Sequence, residues 1–151
     1  MNRPTTLREA IEAADSILIG AGAGPSAADG DHHSGPVFDA RFADFRDQRG
    51  ITDAYSGGFY PFPTSEERWA FWSRMISLLR YEAGPGQVYA DLLGLVSERD
   101  YFIITTNVDH RFQTSGFDKE HLFYTQGDYG LLQCSVPCHD ATYDNEKWVR
   151  Q

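Results

Sequence analysis

Apolar residues recur along this chain with two alternating periods. Leu7, Ile11 and Ala14 fall on one face of a helix, behind Thr6-Leu-Arg-Glu9. That tetrapeptide has the form of a capping box, in which the Thr hydroxyl meets the N3 amide and the Glu reaches back. Ser16-Ile-Leu-Ile-Gly20 is a short unbroken apolar run, suited to a strand buried in a parallel sheet. Gly20 to Gly35 reads as a loop rich in Gly, Ala and Ser. Phe38, Phe42 and Phe45, at i, i+4 and i+7, predict a helix over roughly 37–49, with Gly50 as its C′ residue. Tyr55 to Pro63 reads as an aromatic loop, and Thr64-Ser-Glu-Glu67 as a second capping box. Trp69, Trp72, Ile76 and Leu79, flanked by Phe71, Met75 and Leu78, predict a helix apolar over much of its girth and so largely buried. Gly84-Pro-Gly86 ends it, and Tyr89, Leu92, Leu93 and Val96 give one more helix.

Tyr101-Phe-Ile-Ile-Thr-Thr106 reads as a second buried strand and His121-Leu-Phe-Tyr-Thr125 as a third, with a helical turn at about 109–115 closed by Gly116. Strands alternating with helices predict an α/β fold: a Rossmann-like parallel sheet with helices on both faces. Three strands are few for a doubly wound domain, so the sheet reads as incomplete. Beyond Gly127 the periodicity fades. The expected organisation is a partial α/β domain over 1–132 and the start of a small module over 133–151. The tail from Asp140 to Gln151 shows no obvious element.

Composition narrows the classes. Hydrophobic residues are 41% and aromatics 14% of 151 residues, enough for a core of its own. A net charge of −9 and a pI near 4.8, with no basic run longer than a pair, argue against a nucleic-acid surface. No apolar stretch approaches a membrane span, and Met1-Asn-Arg-Pro-Thr-Thr lacks a signal-peptide apolar region, so a cytoplasmic location is expected.

Four segments carry candidate chemistry. Gly20-Ala-Gly-Ala-Gly-Pro-Ser26-Ala-Ala-Asp-Gly30 follows the first strand, where glycines admit a pyrophosphate to backbone amides or simply form a tight turn. Thr105-Thr-Asn-Val-Asp109 ends the second strand, where Asn107 and Asp109 line a crevice rim or cap the next turn. Gln126-Gly127 follows the third. Three successive strands thus end in small or polar clusters at one sheet edge, as a crevice-binding site requires. Cys134-Ser-Val-Pro-Cys138 is either half of a zinc site, since tetrahedral zinc takes four ligands, or a pair of reduced thiols.

Taken together, these segments resemble the sirtuin family over roughly residues 7–138. Gly22-Ala-Gly-Pro-Ser26-Ala-Ala-Asp-Gly30 matches its G-A-G-x-S-x-x-S-G loop, with Asp29 in place of the second Ser. Thr105-Thr-Asn-Val-Asp109 matches T-Q-N-I-D, with Thr106 in place of Gln, and Phe112 and Ser115-Gly116 continue the spacing. The cysteine pair falls where the family's zinc module begins. The family's I-P-D-F-R is absent, and Asp44-Phe45-Arg46 lies too far downstream to replace it. The resemblance implies NAD as cofactor, with Gly22, Ala23, Gly24 and Ser26 on the pyrophosphate side and Asn107, Val108 and Asp109 at the ribose and nicotinamide. It also implies zinc on Cys134 and Cys138.

Gln126 stands where deacylating sirtuins carry a catalytic His. An amide can hydrogen-bond a ribose hydroxyl but cannot take its proton. His110 and His121 are nearby imidazoles, although a surface or strand-end His is more often solvated. The segments around Tyr55, Thr105 and Thr125 look most like the microbial class M sirtuins. That likeness implies protein ADP-ribosyl transfer using Asn107, Asp109 and Gln126. It further implies a lipoylated carrier protein as acceptor and a macrodomain hydrolase as counterpart. Lysine deacylation with another base, NAD hydrolysis and a non-catalytic NAD-binding module are the alternatives.

Overall fold

The structure, a computed structural model, describes residues 6–30 and 33–151. The first five residues, Met1 to Thr5, and Asp31 and His32 of the glycine loop, lie outside the described residues. Helix α1 (Leu7–Ala13) starts with the predicted capping box closed in both directions, Glu9 N donating to Thr6 Oγ1 and Thr6 N to Glu9. Strand β1 (Ile17–Ala21) leads to a five-residue helix, α2 (Gly24–Ala28), so the glycine segment is not loop throughout.

The predicted helix at 37–49 is broken into α3 (Pro36–Arg41) and α4 (Ala43–Arg49). Phe42, at the break, leaves helical geometry (φ −123°, ψ 24°) and stacks on Phe38 with ring centres 4.7 Å apart. The kink turns Phe42 and Phe45 together onto Phe71, which pure helical spacing did not require. Gly50 closes α4 in the left-handed region, φ +69°, and donates its amide to Arg46 O, as a C-terminal glycine does.

The aromatic loop contains a helical turn, α5 (Ala54–Gly58), capped by Asp53. Gly57 is obligatory there: a Cβ on it would lie 2.2 Å from Phe71 Cζ. Helix α6 (Ser65–Ile76) runs on into a π-helical turn, Ser77–Tyr81. Its capping box is half made. Thr64 accepts from Glu67 N, but the Glu67 carboxylate is drawn to Arg49 at 2.6 and 3.0 Å.

Then follow α7 (Gln87–Val96), β2 (Tyr101–Thr105), α8 (Arg111–Thr114) and β3 (Leu122–Tyr124). The three strands form one parallel sheet in the order β1-β2-β3, with Ile19 beside Ile103 and Thr105 beside Tyr124. The tail is more ordered than its sequence suggests. Strands β4 (Leu131–Gln133) and β5 (Thr142–Asp144) pair antiparallel, and α9 (Glu146–Val149) follows. Strands of three residues carry no readable period. Asn145 fixes them to the body: it is 1% exposed, accepts from Tyr81 OH and donates to Tyr129 O, each at 2.7 Å.

Two cores result. One is aromatic and helical, built on Phe38, Phe42, Phe45, Phe71, Met75 and Leu79. The other packs Tyr89 and Val96 of α7, with Phe112 and Phe117, on Tyr101, Ile103 and Leu122 of the sheet. Helices on both sheet faces were expected, but among the described residues only one face is covered. Leu18, Phe102, Ile104 and Phe123 point from the other face and are exposed. An unbroken apolar run signals apolar surroundings on both faces without saying what supplies them.

Candidate functional site

All three parallel strands end on the same rim, and three connections leave it. Thr106 N donates to Ala21 O, and Thr125 N to Thr105 O, so the hydrogen-bonding holds the rim together past the last paired residues. Gly22, Ala23 and Gly24 follow β1 and are exposed. No protein atom lies within 4 Å of where a Cβ on Gly24 would stand, and on Gly22 it would meet only Thr106 Oγ1 at 3.8 Å. Their smallness is therefore not used in packing against the protein.

Behind this lip lies a buried polar network that joins residues 83 apart in sequence. Ser26, 2% exposed, donates to Asp109 Oδ2 at 2.5 Å and meets Tyr89 OH at 2.6 Å. Asn107 Nδ2 donates to both hydroxyl oxygens, at 3.3 Å to Ser26 and 3.2 Å to Tyr89. The other oxygen of Asp109 accepts from Arg111 N, the first amide of α8, at 3.1 Å, while the N-cap position itself is His110. Asn107 does not cap; its side chain belongs to the network, and its own amide is held by Thr105 Oγ1 at 3.0 Å. Tyr89 completes the set, and burial pushes its phenol above the ordinary tyrosine range. Its apolar spacing marked it as a core residue. A buried tyrosine hydroxyl needs a partner, and that requirement was the available clue.

The network backs a cleft of about 280 Å³ whose wall includes Ala23, Asn107, Val108 and, from the third strand's connection, Gln126. Gln126 is exposed, and among the described residues its amide has no hydrogen-bond partner. The predicted rim residues Gly22, Ala23, Gly24, Ser26, Asn107, Val108, Asp109 and Gln126 thus gather at one place. Tyr55 and His33 also line this cleft, and neither was singled out from sequence. Of the two imidazoles considered, His110 is bonded to Asp128, and His121 lies at the opposite end of β3, edge-on to Tyr101. A second, larger cleft of about 510 Å³, walled by Trp69, Trp72, Ile76 and Leu132, shares Val108, Gln126 and Tyr129 with the first. Those three residues divide the two spaces.

Cys134 and Cys138 stand apart from this site, beyond the end of β4. Their sulfurs are 3.2 Å apart, and hydrogen bonds from Cys138 and the backbone hold the Cys134 thiol below its usual range. Among the described residues no group of three or more His, Cys, Asp and Glu gathers around them or elsewhere.

A polar crevice at the carboxyl ends of parallel strands is the place where open α/β sheets take their ligands. No family model matches the sequence. The chain is 42% identical over 145 residues to a protein ADP-ribosyltransferase of Staphylococcus aureus strain Mu50, covering 96% of this chain and 46% of that protein. It is 37% identical over 136 residues to a probable bifunctional ADP-ribose hydrolase/ADP-ribosyltransferase of Fusarium oxysporum f. sp. cubense, covering 87% of this chain and 22% of that one. In fold it is similar to a Sir2-homologue mutant in complex with 2′-O-acetyl ADP-ribose (TM-score 0.65, 16% identity, 94% of this chain and 53% of that one). A Sir2 homologue in complex with NAD is also similar (TM-score 0.62, 16% identity, 91% and 50%). The chain has the fold of the Sir2 homologues. It spans less than half the length of the curated relatives it matches.

Proposed function

We propose that this crevice binds NAD and serves protein ADP-ribosyl transfer with release of nicotinamide. One observation carries the reading: Asn107 and the buried Ser26–Asp109 pair line the same cleft as an exposed amide, Gln126. Bound NAD would supply an anomeric carbon whose bond to nicotinamide breaks as a bond to the acceptor forms. Exposed Gly22, Ala23 and Gly24 would meet the pyrophosphate through backbone amides. Ser26 and Asp109 are turned inward, so they would act by fixing the wall, while Asn107 and Val108 meet the ribose and nicotinamide. Gln126 would hydrogen-bond a ribose hydroxyl without removing its proton, leaving the acceptor nucleophile free to attack.

The larger cleft beyond Gln126 is the side from which an acceptor would approach. The acceptor is a protein side chain, and a lipoylated carrier is the class that the family resemblance implies. The Fusarium relative joins a hydrolase to a transferase by its name, which supports a macrodomain counterpart. Cys134 and Cys138 would give two thiolates to a structural zinc ion, with residues 133–151 as the start of that module.

A second reading is lysine deacylation, favoured by one observation, that His33 offers an imidazole in the same cleft. Incubating the full-length protein with NAD and either acceptor protein or acyl-lysine peptide separates the two. Mass spectrometry should find ADP-ribose on the acceptor protein. Acyl-ADP-ribose from the peptide would instead support His33 as base.

A further inference from the structure

We infer that Asp128 is a positioning residue that holds Gln126 and Asn107 in register, an inference resting on the crevice reading above. Asp128 lies two residues past Gln126, and its carboxylate is only 5% exposed. Three donors from three segments converge on it: Arg80 Nε of the π-helical turn at 3.2 Å, Gly130 N at 2.7 Å, and the His110 imidazole through Nδ1. Beside them, Tyr129 N donates to Val108 O at 2.8 Å. The connection after β3 is therefore tied to the connection after β2 and to the helical core.

What is tied matters. Val108, Gln126 and Tyr129 are the residues that divide the two clefts, and all three sit on the joined segments. The backbone of His110 adds a second mark. It is the one non-glycine residue at positive φ, +67°, among the described residues. Such a conformation is sparsely populated outside glycine and persists where surroundings over-determine it. Histidine and asparagine tolerate it better than most side chains, and both can donate to a carboxylate. A His at this position thus serves the backbone and the Asp128 bond together. None of these groups need touch the ligand. They set how far the Gln126 amide stands from Asn107 across the cleft, a distance to which transfer is sensitive. Misplacement by an ångström can cost on the order of a hundredfold in rate.

The test uses the full-length protein and reads kcat and KM for NAD separately, with amide hydrogen exchange over residues 126–130. Asp128→Asn and His110→Gly should each lower kcat by about tenfold or more with KM for NAD changed less than about threefold. His110→Asn, which keeps the backbone preference and a donor, should stay within about threefold of wild type. His110→Gly separates the clasp from backbone strain, because glycine relieves the strain while removing the donor. A His110→Gly protein as active as wild type would overturn the proposal. So would an Asp128→Asn protein whose kcat loss follows its loss of folded protein. If wild type transfers no ADP-ribose, the proposed activity fails, and the clasp is judged by exchange alone. Faster exchange at 126–130 in Asp128→Asn supports it, and unchanged exchange refutes it.

Discussion

Ile103 and Ile104 are neighbours in β2 and identical in chemistry, yet the first has no exposed surface and the second is 40% exposed. Successive side chains of a strand point to opposite faces, so each residue reports its own face of the sheet. Ile103 packs among Tyr89, Phe112 and Leu122, while Ile104 lies with Leu18, Phe102 and Phe123 on the face that no described helix covers. The sheet is held from one side. The crevice is formed by strand ends and by connections anchored on that covered side, so its polar network is complete without the other face.

The contrast can be broken at three levels, beginning with the largest. Ile103→Ala should cost about 2–5 kcal/mol of unfolding free energy, as buried isoleucine truncations do, and Ile104→Ala less than about 1. Denaturant titration of both would show it, and equal costs would mean that both faces are packed. Next is Tyr89, whose phenol is raised by burial. The sign follows from linkage: the unfolded chain loses this proton first. The contribution is therefore intact below the ordinary tyrosine range, near pH 10, and is lost as pH rises through it towards the folded value. Stability measured between pH 8 and about 11 should fall more steeply in wild type than in Tyr89→Phe. A smaller effect is expected on the bare face, where Leu18→Lys with Phe123→Lys should change the stability of the 151-residue chain by about 0.5 kcal/mol or less per site. Light scattering should record less self-association, and unchanged association would relieve that face of blame.

The pattern of the chain made some of this legible and concealed the rest, for physical reasons. The positions of the three strands, the first capping box and the Gly50 terminus are local signals, and each was met within a residue or two, although the strands are buried on one face and not on both. The convergence of Asn107, Asp109 and Gln126 was legible because parallel strands all end on one rim. The kink at Phe42, the α5 turn, the π-helical turn and the β4–β5 pair were not, since tertiary packing decides them: Phe42 by its stacking, Gly57 by the approach of Phe71, the tail by Asn145. Tyr89 and His33 escaped for a related reason. An apolar-spaced tyrosine and a loop histidine carry no mark of the cleft until the chain has folded around it.

Labelled NAD tests the crevice most directly, read both as label on an acceptor protein and as nicotinamide released, for full-length wild type and Gln126→Ala. The account predicts labelled acceptor in wild type and a drop of about tenfold or more in the variant, with NAD affinity changed far less. Equal labelling by the two proteins would contradict it, because the amide that faces the cleft would then have no part in the transfer.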